Sequence, residues 1–385
     1  MKLENKKIAI VGGGPGGLTL ARLLQLKGLQ VQVYERDINE QSRVQGSPLD
    51  MHEESGWAAL RSADLLGEYE KNVIRGADKK IVVNRHAEIL FSDHEVEGKE
   101  KPDLETARPE ISRGALRKVL LDSLQEGTVV WDRHFISMEK KNNGWDLHFK
   151  NGLSSYADLV VAADGANSRI RPYITDTRAF YTGITMIELN IDYAEKAAPR
   201  IYTIMKGGKI MAYGNGKNIL GGQKGNGDIG FYLSFTSDES WPAESGIDFS
   251  DRMQLLSWFK KEYSEWNPIW YELFDHAVLP AVPRRIYCMP LDQTWEPLPN
   301  LTILGDAAHV MPPFAGEGAN TSMSDALELS NCLTSDQFTT LPEAIAAYEH
   351  RMLKRASKAA ERSLENGKMM HSDDALNRML KIFNK

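Results

Sequence analysis

The apolar run Ile8–Val11 leads directly into Gly12-Gly13-Gly14-Pro15-Gly16-Gly17, and no other feature of the chain limits its possible folds so tightly. A helical apolar pattern follows over Leu18–Lys27. Gly28 then interrupts it, and a second apolar run, Val31–Tyr34, ends at Glu35. This is strand–turn–helix–strand with G-x-G-x-x-G at Gly12, Gly14 and Gly17. Gly12 permits the tight turn, Gly14 lets the backbone approach a pyrophosphate, and Gly17 lets the helix pack closely on the strand. The helix start offers unpaired N–H groups and the positive end of its dipole to phosphates. Glu35, closing the second strand, is placed to accept hydrogen bonds from an adenosine ribose. The motif predicts a dinucleotide site without separating FAD from NAD.

Two later motifs separate them. In ADLVVAADGANSRIR, the buried-strand run Leu159–Ala163 ends in Asp164-Gly165, followed by Ser168, Arg169 and Arg171. A strand ending in Asp-Gly suits a close backbone approach to a cofactor, and a simple Asp-Gly turn is the other reading. In LTILGDAAHVMPPFAGEGAN, the run Leu301–Leu304 ends in Gly305-Asp306. A Pro-Pro turn, Gly316, Gly318 and a helix starting near Asn320 follow. Asp306 can hold ribityl hydroxyls. The loop 314–320 offers backbone N–H groups that stabilise negative charge on a reduced flavin. Asp306 and His309 with a nearby serine do not make a hydrolase, because no G-x-S-x-G elbow is present. His309 reads as a structural or cofactor-proximal group rather than a catalytic base.

The whole chain limits the remaining choices. Its 385 residues allow two domains, and 42% hydrophobic with 26% charged residues is an ordinary globular composition. The net charge of −7 argues against nucleic acid as a partner. The basic stretch 351–385 reads as a solvated helix face. Two distant cysteines, Cys288 and Cys332, are neither a disulfide framework nor a metal site. The apolar run after the N-terminal lysines is too short for a signal sequence, and no apolar stretch is long enough for a transmembrane helix. These features predict a cytoplasmic protein with no membrane partner. The absence of a coiled-coil repeat makes a monomer the expectation.

The sequence predicts an α/β fold: a Rossmann-type FAD-binding domain over 1–172 and 283–338, an inserted antiparallel-sheet substrate domain over 173–282, and a C-terminal helical segment over 339–385. The β-prone runs Ile201–Met205, Ile210–Tyr213, Ile219–Gln223 and Ile229–Phe235, separated by glycine-rich turns, predict a meander. One face of it could roof the flavin while the other packs on helices. A long helix is expected from Pro342 to Met370, ended or weakened by Gly367, with a shorter one over Asp374–Phe383.

The motifs GGGPGG, DG and GDAAH-x-MPPFAGEGAN, in this order, resemble the class A flavoprotein monooxygenases typified by para-hydroxybenzoate hydroxylase. The chain is similar in particular to the tetracycline destructases, through VYERD (33–37), RVQGSPLDMH (43–52), PEISRGALRKVLLDSL (109–124), TVVWDR (128–133) and GDAAHVMPPFAGEGAN (305–320). The resemblance implies that Glu35, Arg36, Asp50, Arg113 and Asp306 contact FAD and that Arg43 lies near the nicotinamide cofactor. With Gly12, Gly14, Gly17, Asp164, Gly316, Gly318 and Asn320, these form the expected cofactor site. The polar tetracycline contacts of that family, a glutamine, an arginine and a histidine, fall on Glu188, Lys209 and Gly230. Phe314, Asn366 and Met370 match the family's pocket, and Met211 completes the expected substrate contacts.

The resemblance implies that NAD(P)H, with NADPH preferred over NADH, reduces the flavin, that O2 forms a C4a-hydroperoxide, and that one oxygen passes to a phenolic, aromatic or polycyclic small molecule, with tetracycline antibiotics among the candidates. No certain side-chain catalyst is expected, and a single Rossmann motif predicts a transiently bound nicotinamide. A hydroxylase of some other aromatic compound, an oxygen-independent flavin reductase and a non-catalytic flavin module remain alternatives. A halogenase does not, since the W-x-W-x-I-P signature is missing.

Overall fold

The computed structural model describes residues 3–42, 48–74, 76–94, 110–224 and 226–384. Its centre is a parallel five-stranded sheet in the order Leu301–Ile303, Leu159–Ala162, Ile8–Val11, Val31–Tyr34, Val129–Val130. Ile8 lies opposite both Leu159 and Val31, and Val160 lies opposite Leu301. These strands read as continuous apolar runs because they are covered on both faces. Ile10, Val33, Val161 and Ile303 have no exposed surface. Each such side chain contributes roughly 1.5–3 kcal/mol by leaving water. The helix Pro15–Leu26 packs on the sheet and on the helix Gly318–Thr334. Leu29 N–H donates to Leu24 O and Gly28 N–H to Gln25 O, with Gly28 at φ +76°. This Schellman arrangement ends the first helix where the sequence predicts its end.

A three-stranded antiparallel meander (Phe135–Lys141, Gly144–Phe149, Ser154–Ala157) packs on the parallel sheet, where the rings of Phe149 and Tyr34 lie 5.0 Å apart. A second, seven-stranded sheet runs Ala277–Cys288, Phe180–Ile191, Ile229–Thr236, Lys217–Gln223, Lys209–Gly214, Lys80–Asn84, Ile89–Ser92. All its pairings are antiparallel except that of Lys209–Gly214 with Lys80–Asn84. It thus takes two strands from a segment that precedes residue 173, and the strand Ala277–Cys288 runs across residue 283. One face carries Ile187, Leu189, Ile210, Ala212, Ile219 and Leu233 into a core closed by short helices. The alternate residues Met186, Glu188, Met211, Leu220 and Tyr232 face the other way, into a large cavity.

One expected strand is a helix instead. Ile201–Met205 belongs to the helix Pro199–Met205. Proline at its first turn favours the helical backbone, and Ile201 and Met205, four residues apart, are both buried on one helical face. Packing on that face outweighs the β propensity of the run. The long C-terminal helix spans Leu341–Met370. At its start the Thr340 side chain accepts from Glu343 N–H, and the Glu343 carboxylate accepts from Thr340 N–H. Gly367 lies inside this helix and does not end it. The last helix, Ala375–Phe383, covers the cavity end of the second sheet. No helix among the described residues is long and apolar enough to cross a membrane.

Gly12 joins the first strand to the first helix at φ +115°, and a Cβ there would sit 2.2 Å from the Ala163 carbonyl oxygen. Gly12→Ala therefore combines a disfavoured backbone with a collision against backbone. The expected result is loss of FAD retention together with a lower urea midpoint, measured by flavin absorbance and circular dichroism.

Candidate functional site

The carboxyl ends of three parallel strands converge on one cavity of about 2410 Å³. Ordinary ligand pockets hold roughly 300–1,000 Å³, so this one has room for a dinucleotide and a further molecule. Of the residues singled out by sequence, Gly12, Gly14, Gly17, Glu35, Arg36, Asp50, Arg113, Asp164, Asp306, Gly316 and Gly318 line it. So do Glu188, Lys209, Met211, Phe314, Asn366 and Met370. Asn320 does not, and Arg43 lies outside the described residues.

At one end, a Cβ on Gly14 would meet nothing within 4 Å, so the glycine turn presents bare backbone to open space. A Cβ on Gly17 would stand 2.1 Å from Gly12 O, which is the close helix–strand approach expected of it. Glu35 is 1% exposed, and its carboxylate accepts from Gly13 N–H at 2.6 Å and Asp37 N–H at 3.0 Å. Arg117 was not anticipated. It is buried in the helix Arg113–Asp122, donates to Gly13 O at 3.5 Å and Glu40 O at 3.0 Å, and pairs with Asp37 at 3.1 Å. The signal was an arginine four residues after Arg113, beside Leu116 and Leu120 on the apolar helix face.

In the middle, Asp164 Oδ2 accepts from Arg169 N–H at 2.9 Å, while the buried Oδ1 has no partner among the described residues. Burial raises this carboxyl above the usual range. Asp306 is exposed to the open cavity, with protein packed around it on all other sides. That desolvation raises its carboxyl, opposed by His309 and Arg113. Glu110, 2% exposed, is also raised by burial, against the pull of Lys209, which contacts it. Asp50 lies opposite Glu110 in a small sheet. Burial works to raise Asp50 as well, yet its hydrogen bond from His52 and the charge of Lys209 leave it lowered. Asn320 braces this corner: its amide donates to Asp50 O at 2.8 Å and Gly316 O at 3.2 Å, and its oxygen accepts from His52 N–H at 2.8 Å. Its side chain is therefore engaged with backbone on both sides.

His309 is 2% exposed and bonds Asp325 at 2.6 Å. Asp325, fully buried, also accepts from Gly305 N–H at 2.9 Å and Arg355 at 2.7 Å. The cluster holds the Gly305-Asp306 turn from behind, so His309 is structural, as its sequence context implies. Burial alone would lower His309 and raise Asp325. The pairing reverses both, raising His309 and lowering Asp325. Arg171 clasps the same segment, donating to Ala307 O at 3.1 Å, Ala308 O at 2.6 Å and Thr177 O at 3.1 Å, and burial brings it down to about 10.

At the far end, the second sheet forms the floor. Glu188 pairs with Arg284, and Tyr232 OH lies 3.5 Å from Glu188. Met186, Met211, Leu220, Ile286 and Phe314 make the surroundings apolar. The chamber thus runs from a phosphate-type turn, past a group of carboxylates of which Glu110 is buried, to an apolar floor with two ion pairs.

Comparison with known proteins agrees with this geometry. Residues 299–363 match the family model described as FAD binding domain, and residues 10–39 match the NAD(P)-binding Rossmann-like domain. The monooxygenase penA of Penicillium thymicola is 26% identical, with 96% of each chain covered. The 6-hydroxynicotinate 3-monooxygenase of Pseudomonas fluorescens is 24% identical over 96% of this chain and 94% of its own. The crystal structure of tetracycline destructase Tet(55) superposes with a TM-score of 0.74 at 18% identity, covering 97% of this chain and 92% of that one.

The lowered Asp325 contributes stability that is lost as pH falls through its folded value. The raised His309 contributes stability that is lost as pH rises through its own. Both contributions are complete from about pH 4 to 6.5, between the ordinary values of the two groups. Asp325→Asn should lower the unfolding free energy by about 3–5 kcal/mol in that window. The deficit should shrink on either side of it, as urea unfolding at a series of pH values would show.

Proposed function

We infer, from the premise that this chain is an FAD-dependent monooxygenase of the para-hydroxybenzoate hydroxylase fold, that it hydroxylates an aromatic or polycyclic small molecule at the expense of NADPH. The observation that carries this reading is one continuous, partly open chamber of about 2410 Å³, which has a dinucleotide-type turn at one end and an apolar floor at the other.

The residues fit FAD. Gly14 leaves room for a pyrophosphate at the helix start, and Asp164 lines the cavity with its Oδ1 buried and unpartnered among the described residues. Glu35 and Arg36 would hold the adenosine end, with Arg117 fixing the glycine turn. Asp306 and Arg113 would hold the middle of the cofactor, and the loop of Gly316 and Gly318, beside Asp50, would serve the flavin end. When bound, FAD supplies hydride acceptance from NADPH and the activation of O2 for transfer of one oxygen atom. The chain's own part is to bind, orient and exclude water.

Met186, Met211, Ile286, Phe314 and Met370 give an organic ring an apolar seat. Glu188, Arg284, Tyr232 and Lys209 orient its polar edge. Tetracycline is the first substrate to try, given the family resemblance. On this floor, however, a Glu188–Arg284 pair and a Lys209–Glu110 pair stand where that resemblance expects neutral and bidentate contacts. A hydroxylated pyridine or benzene ring suits such paired charges as well.

Purified protein reconstituted with FAD should be yellow and should be bleached by NADPH without air. Readmission of labelled O2 with tetracycline, 6-hydroxynicotinate and 4-hydroxybenzoate in turn should give one product heavier by a single labelled oxygen, read by mass spectrometry. Bleaching with unlabelled, unchanged candidates throughout would favour a flavin reductase.

A further inference from the structure

We propose that Gly367 sets the width of the substrate end of the cavity by fixing how far Phe314 stands into it. This rests on the reading of that end as the substrate site. Three residues of the long helix face the Pro312–Phe314 turn. Ser363 Oγ donates to Pro312 O, Asn366 Nδ2 donates to Phe314 O at 3.1 Å, and Gly367 lies under the Phe314 ring. Their spacing of three and four residues puts them on one side of the helix. The first two fix the backbone of the turn, and the third accepts the ring.

A Cβ on Gly367 would stand 2.8 Å from Phe314 Cδ2 and 3.1 Å from Cε2. The helix gives the glycine no conformational reason to be there, and a mid-helix glycine costs helix stability relative to alanine. The ring, at the end of a rotatable side chain, is what must move if a methyl group is added. Ile184 Cδ1 lies 3.4 Å from the same Cβ position, and the His371 ring packs edge-on 5.4 Å from Phe314. His371 is itself tied to Gly367 O at 2.7 Å and to Ser234 Oγ at 2.7 Å. With these neighbours fixed, the open direction for the ring is the cavity that it already lines. Gly367 is therefore a positioning residue that acts through Phe314. The glycine turn and Glu35 lie at the other end of the chamber, away from this contact.

The test uses the FAD-loaded protein and the series phenol, naphthol and anthrol, with dissociation constants read from perturbation of the flavin spectrum. Gly367→Ala should weaken anthrol relative to phenol by roughly tenfold, the scale of one misplaced methyl group in a pocket. Phe314→Ala should shift the ratio the other way, with each constant referred to the FAD content of the variant measured. Thermal unfolding checks the contact itself: Gly367→Ala should raise Tm in a Phe314→Ala background and raise it less, or lower it, in the wild type. An unchanged ratio overturns the proposal even if the Tm coupling is present, and so does failure of the wild type to bind any of the three. Additive Tm shifts overturn it as well. Failure of oxygen transfer would count against the hydroxylase reading while leaving the ratios and the coupling readable.

Discussion

Three parallel strands must end at the same level for this molecule to have a site at all. Val11, Ala162 and Ile303 are brought side by side by the ladders that pair Ile8 with Leu159 and Val160 with Leu301. Each strand is then followed within a few residues by the polar or glycine positions that face the cavity: Gly12, Asp164 and Asp306. The register of an apolar sheet, stabilised by burial with no direct link to chemistry, thereby decides where the carboxylates and bare backbone lie. Arg117 and Arg171 complete the arrangement by tying loop carbonyls that the strand ends leave unpaired. Asp325 does the same for the Gly305 amide. Such buried charges are tolerated because each has several partners at short range.

The second sheet solves a different problem. Its two faces carry residues of opposite kind, with Ile187, Leu189 and Leu233 on one side and Met186, Glu188 and Tyr232 on the other. Strict alternation keeps the floor of the chamber in place, since a slip of one residue would exchange the two sets. Two further side chains line the chamber from outside this sheet, Phe314 from the turn Pro313–Ala315 and Met370 from the end of the long helix.

Much of this could be read from the chain itself. The glycine turn, the two strand-end aspartates, the structural role of His309 and the long helix follow from local signals, because each depends on residues close in sequence. Other features depend on contacts that local patterns do not carry. Ile201–Met205 has the composition of a strand, but Pro199 and a buried helical face make it a helix. Gly367 has the composition of a helix end, but an aromatic ring from residue 314 occupies the space of its missing side chain. Asn320 sits in a cofactor-like motif, yet its amide is engaged with Asp50, Gly316 and His52. Asp325 was legible only as a carboxylate on an otherwise apolar helix face, beside Met323, Ala326 and Leu329. Its partners lie 16 and 30 residues away in sequence.

The strand Lys80–Asn84 has one further consequence, for the making of the protein. With its neighbour Ile89–Ser92 it can form a hairpin early, but the strand it pairs with in the finished sheet, Lys209–Gly214, comes about 120 residues later. At a synthesis rate of about 5–20 residues per second, the hairpin waits roughly 6–25 s at the ribosome with one edge unpaired. Its apolar residues Ile81, Val82 and Val83, all fully buried at the end, are exposed for that time. Lys79, Lys80 and Asp93 at the base of the hairpin place charge beside that edge, as strands that must not pair prematurely commonly do. The hairpin thus takes its place in the seven-stranded sheet only once Lys209–Gly214 has been made.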